Sequence, residues 1–193
     1  MIELIFATNN AHKLEEVQAI VGDKFKIKSL AEIGCQDDIP ETGHTFQENA
    51  QQKTDYLFAK YKVNCFADDS GLEIDALNGE PGVYSARYSG SRDMEKNIDL
   101  VLARLNSQEN RTARFKTVIS LLLHDEQYFF EGAIEGSIIA ERRGQGGFGY
   151  DPIFVPFGND RTFAEMSAEE KNKISHRAIA VHRLSTFLKS ENI

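Results

Sequence analysis

At 193 residues, 41% hydrophobic and 27% charged, the chain can bury one sizeable core and has the composition of a soluble globular protein. Its net charge of −8 argues against broad binding to nucleic acid, although a phosphorylated small molecule can still be held by a metal and a few local cations. No window has the uninterrupted apolar length of a membrane span and the first residues do not form a signal-peptide pattern, so a cytoplasmic protein with no membrane association is expected.

Residues 2–7 are a short apolar run without helical period and read as a buried strand. Thr8, Asn9 and Asn10 follow. Residues 12–21 then put Leu14, Val17, Ile20 and Val21 on one face of an amphipathic helix. The polar triplet thus lies between a strand's carboxyl end and a helix's amino end, where bare N–H groups and the helix dipole favour an anion. Asn9 and Asn10 tolerate the left-handed backbone that a tight turn there calls for. Lys13 opposes the dipole, which makes more sense with a phosphate between them. Taken alone, an ordinary connection capped by Thr or Asn is the simpler account. There is no G-x-x-x-x-G-K-[ST], so this is not a P-loop.

Residues 24–30 alternate Phe25 and Ile27 with lysines, as a strand with one wet face does. Cys35 and Cys65 have neither metal-site nor redox-motif spacing and are expected as reduced thiols. A polar loop through Asp37, Asp38 and Glu41 leads to Thr45-Phe46-Gln47-Glu48, a capping box opening a helix whose buried stripe is Phe46, Ala50, Leu57 and Tyr61. Asn49 and Lys53, one turn apart, border that stripe. Lys53 is expected to snorkel to solvent, the alternative being a phosphate-lined cleft.

Two apolar runs, residues 63–67 and 72–77, flank Asp68-Asp69-Ser70-Gly71. Charge is costly to bury and is normally kept off strand ends that feed a core. Adjacent carboxylates at such a junction alternate in direction, and their mutual repulsion is relieved best by a divalent cation. From this segment alone, a solvated acidic turn closed by Ser-Gly is an equal reading.

A turn at Asn78-Gly79 precedes residues 80–90, whose Tyr84, Arg87 and Tyr88 suit either a packed surface loop or a binding loop. Asp93 caps a helix with Ile98, Val101, Leu102 and Leu105 inside. Residues 113–123 and 127–133, joined by His124-Asp125-Glu126, form a long β-hairpin, which makes the sheet mixed; residues 137–140 add a further strand. In residues 142–152, four glycines surround Phe148 and Tyr150, so backbone can approach a flat group while rings stack on it; a flexible crossover is the alternative. Ser167-Ala168-Glu169-Glu170 boxes a short helix carrying Lys171. Ser175-His176-Arg177 opens the last helix, whose Ala180, Val181, Leu184, Phe187 and Leu188 face inward, and it repeats the oddity of cations at a helix start. With no repeat, low-complexity segment or linker, residues 1–193 are expected to form a single domain.

Six of these segments, in order along the chain, resemble the Ham1/RdgB/ITPase family of non-canonical purine nucleoside triphosphate pyrophosphatases. They are Thr8-Asn9-Asn10-Ala11-His12-Lys13; Glu41-Thr42-Gly43 with Phe46-Gln47-Glu48-Asn49-Ala50; Ala67-Asp68-Asp69-Ser70-Gly71-Leu72; residues 81–90; residues 146–152; and Glu170-Lys171 with Ser175-His176-Arg177. Asn9 stands where many members have glycine.

The resemblance implies an α/β, ITPase-like fold: a twisted mixed central sheet flanked by helices, two lobes and an active-site cleft between them, in a homodimer. It implies Mg²⁺-dependent hydrolysis of ITP, dITP or XTP to the monophosphate and pyrophosphate. Thr8, Asn9, Asn10, Ala11, His12 and Lys13 resemble the triphosphate loop, Glu41 and Asp69 the metal ligands, and Asp69 also the proton acceptor. Lys53, Ser70 and Lys171 match substrate-contacting positions. Phe148, Gly149, Tyr150 and Asp151, with His176 and Arg177, match the nucleobase pocket. Chemistry agrees on the main points: Mg²⁺ needs only one or two carboxylates beside water and phosphate, while Lys13, Lys53, Lys171 and Arg177 spread the remaining charge. A carboxylate bound to a metal is a poor base, so Asp68 can share either task. A Maf-like enzyme acting on other modified nucleotides and a non-enzymatic nucleotide binder are the alternatives.

Overall fold

The computed structural model describes residues 2–21 and 25–190. Lys24, read as opening the second strand, lies outside the described residues, as does the side chain of His12. The strands are β1 (Ile2–Phe6), β2 (Phe25–Lys28), β3 (Cys65–Ile74), β4 (Thr112–Leu123), β5 (Glu126–Ile138) and β6 (Phe154–Pro156). They form one sheet in the order β2-β1-β3-β4-β5-β6. β1 runs parallel to β2 and to β3, whereas β6 is antiparallel to β5, so the sheet is mixed as expected. The helices are α1 (Ala11–Val21), α2 (Phe46–Tyr61), α3 (Met94–Arg104), α4 (Ala168–Ile174) and α5 (His176–Ser190).

The chain divides into two compact units, one of Met1–Asp69, Thr117–Gly132 and Arg177–Ile193, the other of Ser70–Lys116 and Ala133–His176. In the first unit the chain leaves β1 through α1 to β2 on one side, then returns through α2 to β3 on the other. The carboxyl end of β1 is therefore a switch point of the kind that leaves a crevice for ligands in α/β sheets. Both sheet faces are covered. Phe66 joins Leu4, Phe6, Val17, Val181 and Leu184 in the core under α1 and α5. Cys65 and Ala67 join Ile5, Ala7, Leu57 and Leu122 under α2. The period of two along β3 thus assigns alternate residues to opposite helices. Cys35 and Cys65 are buried free thiols.

The second unit has its own core, in which Ile98 and Val101 of α3, with Leu105 just past its end, meet Leu72, Ile74, Phe115, Phe154 and Phe163. Three helices start as their sequences dictate. The Thr45 and Ser167 hydroxyls accept from the Glu48 and Glu170 amides in full capping boxes, and Asp93 accepts from the amides of Glu95 and Lys96. Each such cap stabilises its helix by about 1 kcal/mol.

Two expectations need correction, and one strand is new. The acidic residues do not sit between two elements, because β3 runs unbroken through Asp68, Asp69 and Ser70. Residues 137–140 add no separate strand: β5 continues to Ile138, since Gly136 admits close packing by Phe154 and the backbone of Val155 without breaking the ladder. β6 was not anticipated, three residues ending in proline being too short to show a period. The hairpin turn also tightens to His124 and Asp125, both at positive φ (51° and 67°), the two-residue type that matches strand twist.

Candidate active site

β1 ends at Phe6 and its neighbour β3 does not, so the β3 edge beyond Phe66 must find other partners. Ala7 N–H still donates to the Phe66 carbonyl at 2.8 Å. Two residues on, the Asp68 carbonyl accepts from the Lys53 ammonium at 2.6 Å. An uncovered sheet edge at a switch point, carrying two carboxyl groups, is where the chemistry of the first unit gathers.

The two carboxyls point apart. Asp68 shares the parity of Phe66 and meets α1 and α5. Its Oδ1 accepts from Lys13 Nζ at 2.9 Å and its Oδ2 from Arg177 Nε at 3.3 Å. Arg177 also pairs with Glu16 of α1. Burial raises the Asp68 carboxyl, but Lys13, Arg177 and Lys53 outweigh it and hold the group well below the usual carboxylate range. Both helix-start cations, Lys13 and Arg177, are thus explained by one buried carboxylate.

Asp69 shares the parity of Cys65 and Ala67 and faces α2. Asn49 Nδ2 donates to it at 2.9 Å, while Asn49 Oδ1 accepts from Gly43 N–H at 2.8 Å, tying the segment of Glu41 to the strand. Lys53 bonds Glu41 at 2.5 Å. Burial raises the Asp69 carboxyl; Lys53 and Asn49 oppose the rise, and the nearby charge of Glu41 adds to it. A carboxylate so destabilised is relieved by a cation. Three basic side chains, Lys13, Lys53 and Arg177, stand here against four acids, Glu16, Glu41, Asp68 and Asp69. A polyphosphate is not drawn to such a set unless a cation comes with it. Among the described residues no three His, Cys, Asp or Glu side chains converge on a metal position. Two carboxylates suffice for Mg²⁺, which keeps waters and phosphates in its shell, and Glu41 with Asp69 fit that need.

The loop from β1 to α1 is shaped by its own side chains. Thr8 Oγ1 accepts from Asn10 N–H at 3.1 Å, and Asn10 Oδ1 accepts from Lys13 N–H at 3.3 Å as a helix cap. Neither Asn9 nor Asn10 adopts positive φ, so the expected left-handed turn is not used. Asn9, Asn10 and Ala11 are exposed.

The second unit gathers the other expected residues. Asp151, 2% exposed, accepts from Phe148 N–H at 2.8 Å and from Lys171 Nζ at 2.7 Å. Lys171 lies over the Phe148 ring at 4.6 Å and the Phe163 ring at 5.5 Å. Gly147, at φ 72°, passes so close that a Cβ there would lie 2.1 Å from Asp151 Oδ2. Met94 Sδ accepts from Gly149 N–H, and Tyr150 hydroxyl donates to the Ser85 carbonyl at 2.8 Å. Phe148, Gly149, Tyr150 and Asp151 are each tied by a hydrogen bond, so this part of the glycine-rich segment is not a flexible crossover. His176 stacks on Phe115, centroids 4.9 Å apart.

The Ham1 family model matches residues 4–187, nearly the whole chain. The chain belongs to the Ham1 family. It is 52% identical over 190 residues to the dITP/XTP pyrophosphatase of Porphyromonas gingivalis, covering 97% of this chain and 98% of that one. The dITP/XTP pyrophosphatase of Bacillus subtilis is 47% identical over 195 residues, covering 98% of each. Among solved structures, the Ham1 protein of Staphylococcus aureus superposes with a TM-score of 0.91 at 40% identity, covering 98% of this chain and 99% of that one.

Within this family member, Lys53 corrects an expectation: it does not snorkel but is 7% exposed, because the uncovered Asp68 carbonyl and Glu41 give its ammonium two partners inside. Arg177 is grouped with Asp68 and Lys13 in the first unit, whereas His176, Phe148, Asp151 and Lys171 belong to the second. Ser70, next along β3 from Asp69, is half-buried at the start of the second unit. Glu16, Asn49 and Ser85 were given no site role. Glu16 lies three residues after Lys13, and Asn49 four before Lys53, so helical spacing was the available signal for both.

Proposed function

We propose that this protein hydrolyses ITP, dITP and XTP between the α and β phosphates, releasing the nucleoside monophosphate and pyrophosphate and so clearing such nucleotides from the cytoplasmic pool. The convergence of Lys13 and Arg177 on the Asp68 carboxyl and of Lys53 on the Asp68 carbonyl, beside Asp69 on an uncovered strand edge, carries this reading. The names of the Porphyromonas gingivalis and Bacillus subtilis relatives support it.

Glu41 and Asp69 hold Mg²⁺ in this reading. The ion supplies phosphate charge neutralisation and a water of lowered pKa. Residues 8–13 bind the triphosphate through backbone N–H groups and Lys13. Asp68 keeps Lys13 and Arg177 turned toward the phosphates without bonding them itself. Asp69 accepts the proton of the attacking water, since Asp68 is held as an ion-paired carboxylate by Lys13 and Arg177. Lys53 fixes Glu41 and neutralises charge as the anhydride bond breaks. In the second unit, residues 148–151 with Lys171 and His176 take the purine, Phe148 by stacking and N–H donors by selecting a C6 carbonyl over an amine. Ser70 contacts substrate, residues 1–193 act as one ITPase-like domain, and the working form is a homodimer.

The test is a panel of canonical and non-canonical nucleoside triphosphates assayed for pyrophosphate with and without Mg²⁺. Metal-dependent pyrophosphate release from ITP and XTP, with ATP spared, is expected. Release of orthophosphate alone overturns the assignment.

A further inference from the structure

The segment from Pro81 to Gly90 has no role in the reading above, yet its centre touches two parts of the second unit at once. Ser85 lies in a 3-10 turn over Gly82–Arg87. Its Oγ accepts from Leu72 N–H at 2.9 Å and donates to the Gly82 carbonyl at 2.6 Å. Leu72 is in β3, two residues beyond Ser70, on the same edge that β1 no longer covers. Ile74 N–H, next along that edge, goes to the Glu80 carbonyl at 3.2 Å. The turn therefore replaces a missing strand, and the Ser85 hydroxyl fixes it in register. The main-chain carbonyl of the same residue accepts from the Tyr150 hydroxyl at 2.8 Å. Tyr150 is 4% exposed and lies between Gly149 and Asp151. A buried phenol with one such partner has little freedom to seek another.

We propose that Ser85 is a positioning residue for base recognition: its hydroxyl locks the 3-10 turn to β3 so that its carbonyl anchors Tyr150 and holds residues 148–151 in their binding conformation. This rests on the assignment of those residues to the purine. Asn97 steadies the same turn, donating to the Ala86 carbonyl at 3.3 Å and accepting from Ser89 N–H at 2.7 Å, so loss of one hydroxyl moves Ser85 without unfolding the segment. The hydrogen bonds of Ser85 go to Leu72, Gly82 and Tyr150, which separates its effect from chemistry at the anhydride.

The test compares wild type, Ser85→Ala, Ser85→Thr, Tyr150→Phe and the double variant Ser85→Ala/Tyr150→Phe in steady-state ITP hydrolysis, with Tm measured for each. Ser85→Ala is expected to raise KM about tenfold, roughly the consequence of one lost positioning hydrogen bond, with a much smaller change in kcat. Ser85→Thr, which keeps the hydroxyl, restores KM. Tyr150→Phe raises KM similarly, and the double variant goes no further, because both act through one anchor. Unchanged KM in folded Ser85→Ala and Tyr150→Phe, or KM effects that multiply in the double variant, overturn the proposal while leaving the enzymatic reading intact. Wild type that releases no pyrophosphate defeats the enzymatic reading, and this proposal with it.

Discussion

Lys13 and Asp68, 55 residues apart in sequence, form a 2.9 Å ion pair whose carboxylate is 2% exposed. A cation at a helix start is unfavourable by itself, and a carboxylate inside a strand is more so. Each offsets the other, and Arg177 completes the neutralisation from a second helix start.

Breaking that pair exposes its worth. Lys13→Met is expected to cost about 2–3 kcal/mol, below the usual figure for a stranded buried charge because Arg177 remains. Adding Asp68→Asn should cost less than the sum, with a coupling of about 1–3 kcal/mol in urea unfolding. Strict additivity would mean that the pair carries no stability.

Asp69 predicts the opposite sign. Its carboxyl is raised by burial, so between the unfolded value of about 4 and the raised folded value the native state keeps a proton that the unfolded state has lost. Stability contributed by this group therefore falls as pH rises through that window and is level above it. Asp69→Asn, still able to meet Asn49, should abolish ITP hydrolysis yet be more stable than wild type at neutral pH by about 0.5–2 kcal/mol. The gap should shrink toward pH 4. A variant less stable at every pH contradicts this.

Metal removal gives a third check. Chelation is expected to stop turnover and Mg²⁺ to restore it, while raising the Tm of wild type and not of Asp69→Asn. Glu41→Gln should need about tenfold more Mg²⁺ for half-maximal rate, measured by titration at saturating ITP. Full activity in chelator would remove the metal from the mechanism.

Gly147 and Gly149 separate backbone strain from collision. Both have positive φ, 72° and 60°, but a Cβ at Gly149 meets nothing within 4 Å. Gly149→Ala is expected to cost about 1–2 kcal/mol from the left-handed backbone alone. Gly147→Ala must also displace the Asp151 carboxylate, and should cost more and raise KM for ITP. Equal effects would show that the close approach to Asp151 is unimportant.

Much of this was legible in the sequence because local chemistry announced it. Thr45, Asp93 and Ser167 cap their helices as their spacing requires, and the glycines around Phe148 and Tyr150 mark a close backbone approach. Lys53 was misread because a stripe-bordering lysine says nothing of what lies opposite, here a carbonyl left bare where β1 stops. Asp68 and Asp69 were placed at a junction because two charges inside a strand are unfavourable without partners. Those partners, Lys13, Arg177 and Asn49, come from three different helices or helix starts, and no local pattern encodes such encounters.

The pairing of Ile5 with Cys65 and of Phe6 with Phe66 fixes which way each carboxyl of β3 turns. Loss or gain of a single residue just upstream of Asp68 would rotate the pair, delivering the acid of Asp69 to the cations of α1 and α5 and the acid of Asp68 to Asn49. Residue exchanges along this strand can be graded in their effects, but a change in its length cannot. Mutational histories of this segment should therefore record substitutions freely and indels almost never.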